Sequence, residues 1–163
     1  MIKILDGYCP GMIGRITELH ADYYSKNWGF GLYFESKVAT ELSEFLGRFD
    51  KNRDGIWTVQ VNDKIVGSII IDGIDSDGEG ARLRWFILDS NFQGRGIGNL
   101  MMEKAIHFCN EKEYRKVYLW TFAGLDAARC LYEKYGFKLC KECENNQWGK
   151  TVSEQMFELS LEK

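Results

Sequence analysis

The chain has very little proline and histidine. Its 163 residues include one proline and two histidines, His20 and His107. A lone proline argues against a Pro-rich linker, and no repeat or low-complexity stretch is visible. The histidines stand apart on helical stretches, so they make no pair of metal ligands and read as structural. Basic runs are missing as well: 21 Lys and Arg face 24 Asp and Glu, a net charge of −3. That balance speaks against nucleic acid as the main partner. No stretch approaches the ~20 apolar residues that span a bilayer. Met1-Ile2-Lys3-Ile4-Leu5-Asp6 lacks the apolar core and cleavage site of a secretory leader. A cytoplasmic protein with no membrane partner is expected.

Cysteine is present but unpatterned. Five residues, at 9, 109, 130, 140 and 143, are odd in number and scattered, which does not suggest a disulfide framework. Cys140-Lys141-Glu142-Cys143 has a spacing that serves redox chemistry or zinc. It falls in a stretch read as a strand, Phe137 to Glu144, where positions three apart face opposite sides. No second Cys pair or His pair completes a zinc site. No metal is expected.

What is present describes one globular domain over residues 1–163: 45% apolar and 28% charged residues, enough to bury a single core. Ile2 to Leu5 reads as an opening strand. From Met12, the residues Ile13, Ile16, Leu19, His20 and Tyr23 fall at helical spacing, and after Trp28-Gly29-Phe30-Gly31 a second helix carries Val38, Leu42, Phe45 and Leu46. The period then changes to two: Trp57 to Val61, Lys64 to Asp72 and Ala81 to Leu88 read as an antiparallel meander. Ile97 to Phe108 is a helix, Lys116 to Thr121 a strand, and Leu125 to Tyr135 a helix stopped by Gly136. Phe137 to Glu144 and Val152 to Leu161 close the chain as a hairpin. The order predicts an α+β fold, a mixed sheet with helices on both faces.

Between the third meander strand and the next helix lies Gln93-Gly94-Arg95-Gly96-Ile97-Gly98. A glycine-rich turn at a helix start leaves several backbone N–H groups unpaired and aimed one way, backed by the positive end of the helix dipole. It is an anion cradle, to which Arg95 adds a charge. The spacing is not the G-x-G-x-x-G of a dinucleotide fold, and no acid follows for a ribose hydroxyl. It is not a Walker A loop either, since no Gly-Lys-Ser/Thr follows.

Gln93-x-x-Gly96-x-Gly98, followed in order by Ala128-x-x-Leu131-Tyr132-Glu133-Lys134-x-Gly136-Phe137, resembles the Gcn5-related N-acetyltransferase (GNAT) superfamily. The likeness covers almost the whole chain. Trp28-Gly29-Phe30-Gly31, the run Leu83 to Asp89, the run Tyr118 to Leu125 and Gln147-Trp148-Gly149 further resemble a subgroup often fused behind a MarR-type winged-helix regulator. The chain carries no such N-terminal domain, so a regulatory role tied to it is not expected. The resemblance implies a six- to seven-stranded, mostly antiparallel sheet with acetyl-CoA in a cleft where two parallel strands splay. Gln93, Gly94, Arg95, Gly96, Ile97 and Gly98 would hold its pyrophosphate. Phe86, Ile87 and Leu88 would pair with the pantetheine arm, and one of their N–H groups would polarise the thioester carbonyl. Tyr132 matches the tyrosine near the sulfur, and equally fits a helix stripe with Leu125, Ala128 and Tyr135. A phenol at pKa ~10 protonating a thiolate at ~8.5 is uphill by roughly 2 kcal/mol, so Tyr132 needs a depressed pKa or acts as a hydrogen-bond donor. Many relatives carry Asn where this chain has Leu125, so the resemblance implies one side-chain contact fewer to the pantetheine arm.

A primary amine at pKa ~10.4 is less than about 0.1% neutral at pH 7, so attack on a thioester needs a base. Glu79 and Asp72, near the ends of the strands flanking the cleft, are the candidates. Each also reads as a solvated turn carboxylate. Tyr23, Tyr24, Trp28, Phe30, Tyr33 and Phe34 cluster in and after the first helix, and Trp148 sits on a loop able to reach the same cleft. An aromatic lining suits a small amine acceptor, and some of these rings also fit a role in closing the core. Arg82 and Arg84 are placed to pair with an acceptor carboxylate. The activity implied is acetyl-CoA-dependent N-acetyl transfer by direct attack in a ternary complex. The alternative is a CoA-binding module of the same fold with a sensor or interaction role and no transfer. Monomer and homodimer both fit the chain.

Overall fold

The computed structural model describes residues 1–146 and 148–162. Gln147, one residue of the Gln147-Trp148-Gly149 likeness, and Lys163 lie outside them. The described elements run β1 (Ile2–Asp6), α1 (Met12–Trp28), α2 (Leu32–Gly47), β2 (Gly55–Val61), β3 (Lys64–Asp72), β4 (Ala81–Leu88), α3 (Ile97–Glu111), β5 (Lys116–Phe122), α4 (Asp126–Lys134), β6 (Lys138–Asn145) and β7 (Val152–Ser160). A 3-10 turn at Ser90–Phe92 joins β4 to the glycine turn.

Glycines punctuate the helices where the backbone must turn left-handed. Gly29 ends α1 at φ 68, its N–H donating to the Ser25 carbonyl. After α4, Gly136 at φ 94 donates to Glu133 (3.1 Å) and Phe137 to Tyr132 (3.0 Å). That double bond pattern satisfies the last carbonyls of the helix and returns the chain into β6.

The seven strands order as β1-β2-β3-β4-β5-β7-β6. All neighbours pair antiparallel except β4 and β5, which are parallel. β3, near the middle, is buried from Ile65 to Asp72 on both faces because helices cover both. Its residues alternate: Ile70 joins Met12, Ile16, Leu42 and Phe45 under α1 and α2. Ile69 and Ile71 join Met101, Met102, Ala105 and Phe157 on the α3 and α4 side. A third cluster, Phe30, Phe34, Val38 and Phe122, fills the corner between α2 and the end of β5.

Two features of β4 open the sheet. Its pairing with β5 is confined to Ala81 with Val117 and Arg82 with Tyr118. β5 goes on to pair with β7 as far as Phe122 and Glu154, so the parallel strands part after their first residues. The register of β4 against β3 also slips between Ser68 and Ile70, and Trp85 stands at φ 46. Positive φ is rare for a bulky side chain and marks a bulge, where an extra residue bends the strand. The Ser68 hydroxyl donates to the Trp85 carbonyl at 2.6 Å. The Arg84 guanidinium lies 4.0 Å from the Trp85 ring centre.

Candidate active site

The parting strands enclose a cavity of about 660 Å³. β4 from Arg82 to Leu88 and β5 from Leu119 to Phe122 line it. The glycine turn, α3 and α4 border one side; α1, α2 and Trp148 border the other.

On the first side, α3 begins at Gly96 (φ 80) with no side chain capping it. Leu100 is the first residue to bond back, to the Gly96 carbonyl at 3.1 Å. The amides of the first turn before it therefore have no intrahelical acceptor. A Cβ built on Gly94 (φ 76) or Gly96 would meet nothing within 4 Å. Glycine is required there by the left-handed backbone, and the space above the turn is open to a ligand. The Gln93 side chain donates to the Leu88 carbonyl at 2.9 Å, which fixes the turn against the end of β4.

Between the two sides stands Tyr132, 6% exposed, its ring 6.3 Å from Phe86 and 6.0 Å from Phe137 and Phe157. Burial pushes its phenol well above the ordinary range, so it stays protonated at neutral pH. Burial does the same to Tyr24, with Tyr132 and Tyr23 adding to the shift.

The far side is built on one face of the sheet. Leu83 and Leu119 pack toward α3, so by alternation Arg82, Arg84 and Trp120 look the other way, toward α2. Glu154 of β7, opposite Phe122 in register, shares that face. It is 3% exposed and accepts a hydrogen bond from Trp148 Nε1 at 3.2 Å. Phe34 stacks near both Tyr24 (4.9 Å) and Trp148 (5.4 Å). His20 also lines the cavity, its Nδ1 2.8 Å from the Ile16 carbonyl. Burial, offset in part by that bond, lowers its pKa to about 4, so the ring is neutral at pH 7 with Nδ1–H as donor.

A family model described as the acetyltransferase (GNAT) family matches residues 13–137, most of the chain and all of the cavity's glycine turn. The chain belongs to the GNAT acetyltransferase family. An N-acetyltransferase of Methanocaldococcus jannaschii is 29% identical over 121 residues, 71% of this chain and 53% of the relative. The N-acetylaspartate synthetase of Xenopus tropicalis is 30% identical over 117 residues, 71% of this chain and 42% of the relative. The chain thus spans about half the length of the curated relatives it matches. A GNAT-family acetyltransferase structure from Staphylococcus aureus superposes with a TM-score of 0.79 at 18% identity, covering 99% of this chain and 100% of that one. That likeness concerns the fold alone.

Within this GNAT domain the cavity gathers some of the expected residues and leaves others out. Phe86, Ile87, Leu88, Gln93, Gly94, Gly96, Gly98, Tyr132, Arg84 and Trp148 line it. Ile97 is not among the lining residues; its side chain is buried in the α3 core. Arg95 is exposed and does not reach in, its guanidinium lying 5.6 Å from the Phe92 ring centre. Glu79, expected as a base, is exposed in the turn before β4, its amide bonded to the Asp75 carboxylate, and lies off the cavity. Asp72 is the other expected base. Its buried carboxylate takes hydrogen bonds from Arg48 at 3.0 and 2.7 Å and from Arg84 at 3.1 Å. Burial pushes its pKa up, but the Arg48 hydrogen bonds and neighbouring charges hold it below the ordinary value. It anchors an ion cluster with Arg48 and Arg84.

Of the expected acceptor residues, Trp28 and Phe30 pack in the aromatic corner, 5.4 and 5.5 Å from Phe122. Trp28 lies where a Cβ on Gly124 would touch it at 3.4 Å, and it is not among the residues that line the cavity. Tyr33 is 57% exposed on the outer surface of α2, outside the cavity. Leu125 precedes α4 without any side-chain cap, as its apolar side chain dictates. Glu154 went unrecognised in the sequence. The structure buries it in a strand covered on both faces from Glu154 to Phe157. The cysteines are all free, with Cys140 and Cys143 exposed on β6. No cluster of His, Cys, Asp or Glu fit for a metal occurs among the described residues, and none of their helices is long and apolar enough to cross a membrane.

Proposed function

We propose that this chain transfers the acetyl group of acetyl-CoA to a primary amine of a small molecule, by direct attack in a ternary complex. The observation that carries this is the convergence on one cavity of two sets of unpaired backbone groups. One set is the first turn of α3 over an open glycine floor. The other is the edge of β4 that β5 abandons after Arg82. The first fits a diphosphate, and the second fits an extended amide-bearing arm that adds to a strand edge.

Bound acetyl-CoA would supply the activated acetyl group; the chain's own groups do the rest. Amides of Gly94 to Asn99 hold the phosphates, and the backbone of Phe86 to Leu88 holds the arm. An N–H just after the Trp85 bulge donates to the thioester oxygen as negative charge develops on it. The Tyr132 hydroxyl donates to the sulfur as the carbon–sulfur bond breaks. The amine nitrogen forms the new bond to the acetyl carbon, and Glu154, directly or through water, takes the proton it gives up. Glu154 replaces Glu79 in that role because it alone of the two lies in the cavity. The relatives' names support amine acetylation, and one is named for N-acetylaspartate, a small acetylated amine.

Assay with acetyl-CoA and a panel of primary amines, following free thiol and acetylated amine together, tests this. Equal yields of the two are expected. Glu154→Gln should lower turnover by about 100-fold with coenzyme affinity unchanged. Firm CoA binding with no acetylated product from any amine would instead favour a CoA-binding module. Full turnover in Glu154→Gln would move the base elsewhere.

A further inference from the structure

Among the described residues, three cationic side chains line the cavity: Arg82, Arg84 and Lys134. Two are committed. Arg84 bonds Asp72 at 3.1 Å and Glu41 at 2.8 Å, a carboxylate on either side. Lys134 donates to the Asn99 side chain at 2.6 Å and stands at the coenzyme end beside α3. Arg82 makes no ion pair with any described residue, although it stands directly opposite Asp72 in the β3–β4 register. Asp72 is already filled by Arg48 and Arg84. The Arg82 Nε is buried and has no hydrogen-bond partner.

Its place in the fold says what it faces. Arg82 is the last β4 residue paired to β5, at the closed end of the splay. The glycine turn lies at the opposite end of β4, so this charge is not positioned for the coenzyme phosphates. It sits on the α2 side of the sheet, the same face as Glu154. A half-buried guanidinium that makes no ion pair and whose buried Nε has no partner favours an anion, and its planar fork fits a carboxylate.

We infer that the acceptor is an amine that also bears a carboxylate, an amino acid, whose carboxylate is bound by Arg82 while its nitrogen faces the β4 bulge and Glu154. This deepens the acetyltransferase reading and rests on it. Arg82 is a specificity determinant and takes no part in the bond changes.

The test uses matched pairs, each L-amino acid against its primary amide, with wild type, Arg82→Gln and the charge-keeping Arg82→Lys. Two readouts run in parallel: initial rates of CoA release, and calorimetric titration of each compound into the CoA-loaded protein. Wild type should favour the acids by about tenfold or more in KM and Kd. Arg82→Gln should erase that preference with acetyl-CoA affinity intact, and Arg82→Lys should keep part of it. Amides accepted as well as acids, or a preference surviving in Arg82→Gln, overturns the inference. Failure of the underlying reading looks different: no CoA is released with any amine. In that case the titrations still decide whether Arg82 binds carboxylates.

Discussion

Gly96→Glu abolishes coenzyme binding while the fold survives. The substituted Cβ meets no atom within 4 Å, so no neighbour has to move. The cost to folding is the left-handed backbone at φ 80, about 1–2 kcal/mol for a residue other than glycine. Binding suffers more. The new side chain projects into the open space over the first turn of α3, where the diphosphate would lie. Its carboxylate also takes up the positive end of the helix and repels phosphate. Affinity for CoA should fall by at least about 100-fold, or about 2.7 kcal/mol. Gly96→Ala separates the two contributions: it carries the backbone strain without charge or bulk and should lose far less affinity. Titration of both variants with CoA, beside their thermal melts, checks the claim.

Tyr132→Phe lowers turnover by about tenfold or more and leaves CoA affinity near wild type. The ring is what packs on Phe86, Phe137 and Phe157, and phenylalanine preserves it. Only the hydroxyl is lost. Burial raises this phenol above its ordinary value, which widens the gap to a departing thiolate beyond the roughly 2 kcal/mol of the unperturbed pair. Complete proton transfer is thereby disfavoured, and the role proposed for the hydroxyl is that of a hydrogen-bond donor to the sulfur. The same shift sets the pH dependence. A phenol with a raised pKa stays protonated as pH rises, so the wild-type rate should show no loss from its ionisation up to about pH 10. A fully active phenylalanine variant would make Tyr132 a packing residue only.

What the sequence made legible was local. The glycine turn is readable because φ at Gly94 and Gly96 and the start of α3 are properties of consecutive residues. The helix stripes and the Gly136 stop are readable for the same reason. The far side of the cavity was legible only in part, at Phe34, Arg84 and Trp148, because it is assembled across the sheet. Glu154 reaches the cavity through the pairing of β7 with β5, a neighbour relation far from either residue's local pattern. Glu79 precedes β4 in the chain, yet the tight turn from Asp75 to Gly80 keeps it in solvent. The bulge at Trp85 had no glycine to announce it; a register slip against Ser68 and Ile70 makes it. Arg82 and Arg84 look alike in sequence and differ only because Asp72 and Glu41 satisfy one and leave the other.

The central claim is that backbone amides at the start of α3 and along the abandoned edge of β4 bind the coenzyme. Calorimetric titration of acetyl-CoA and of free CoA into the folded wild-type protein tests it most directly. Saturable heat at one site per chain is predicted, with inorganic pyrophosphate competing for it. Protein that is folded by circular dichroism yet gives no heat with either form of the coenzyme would contradict the account.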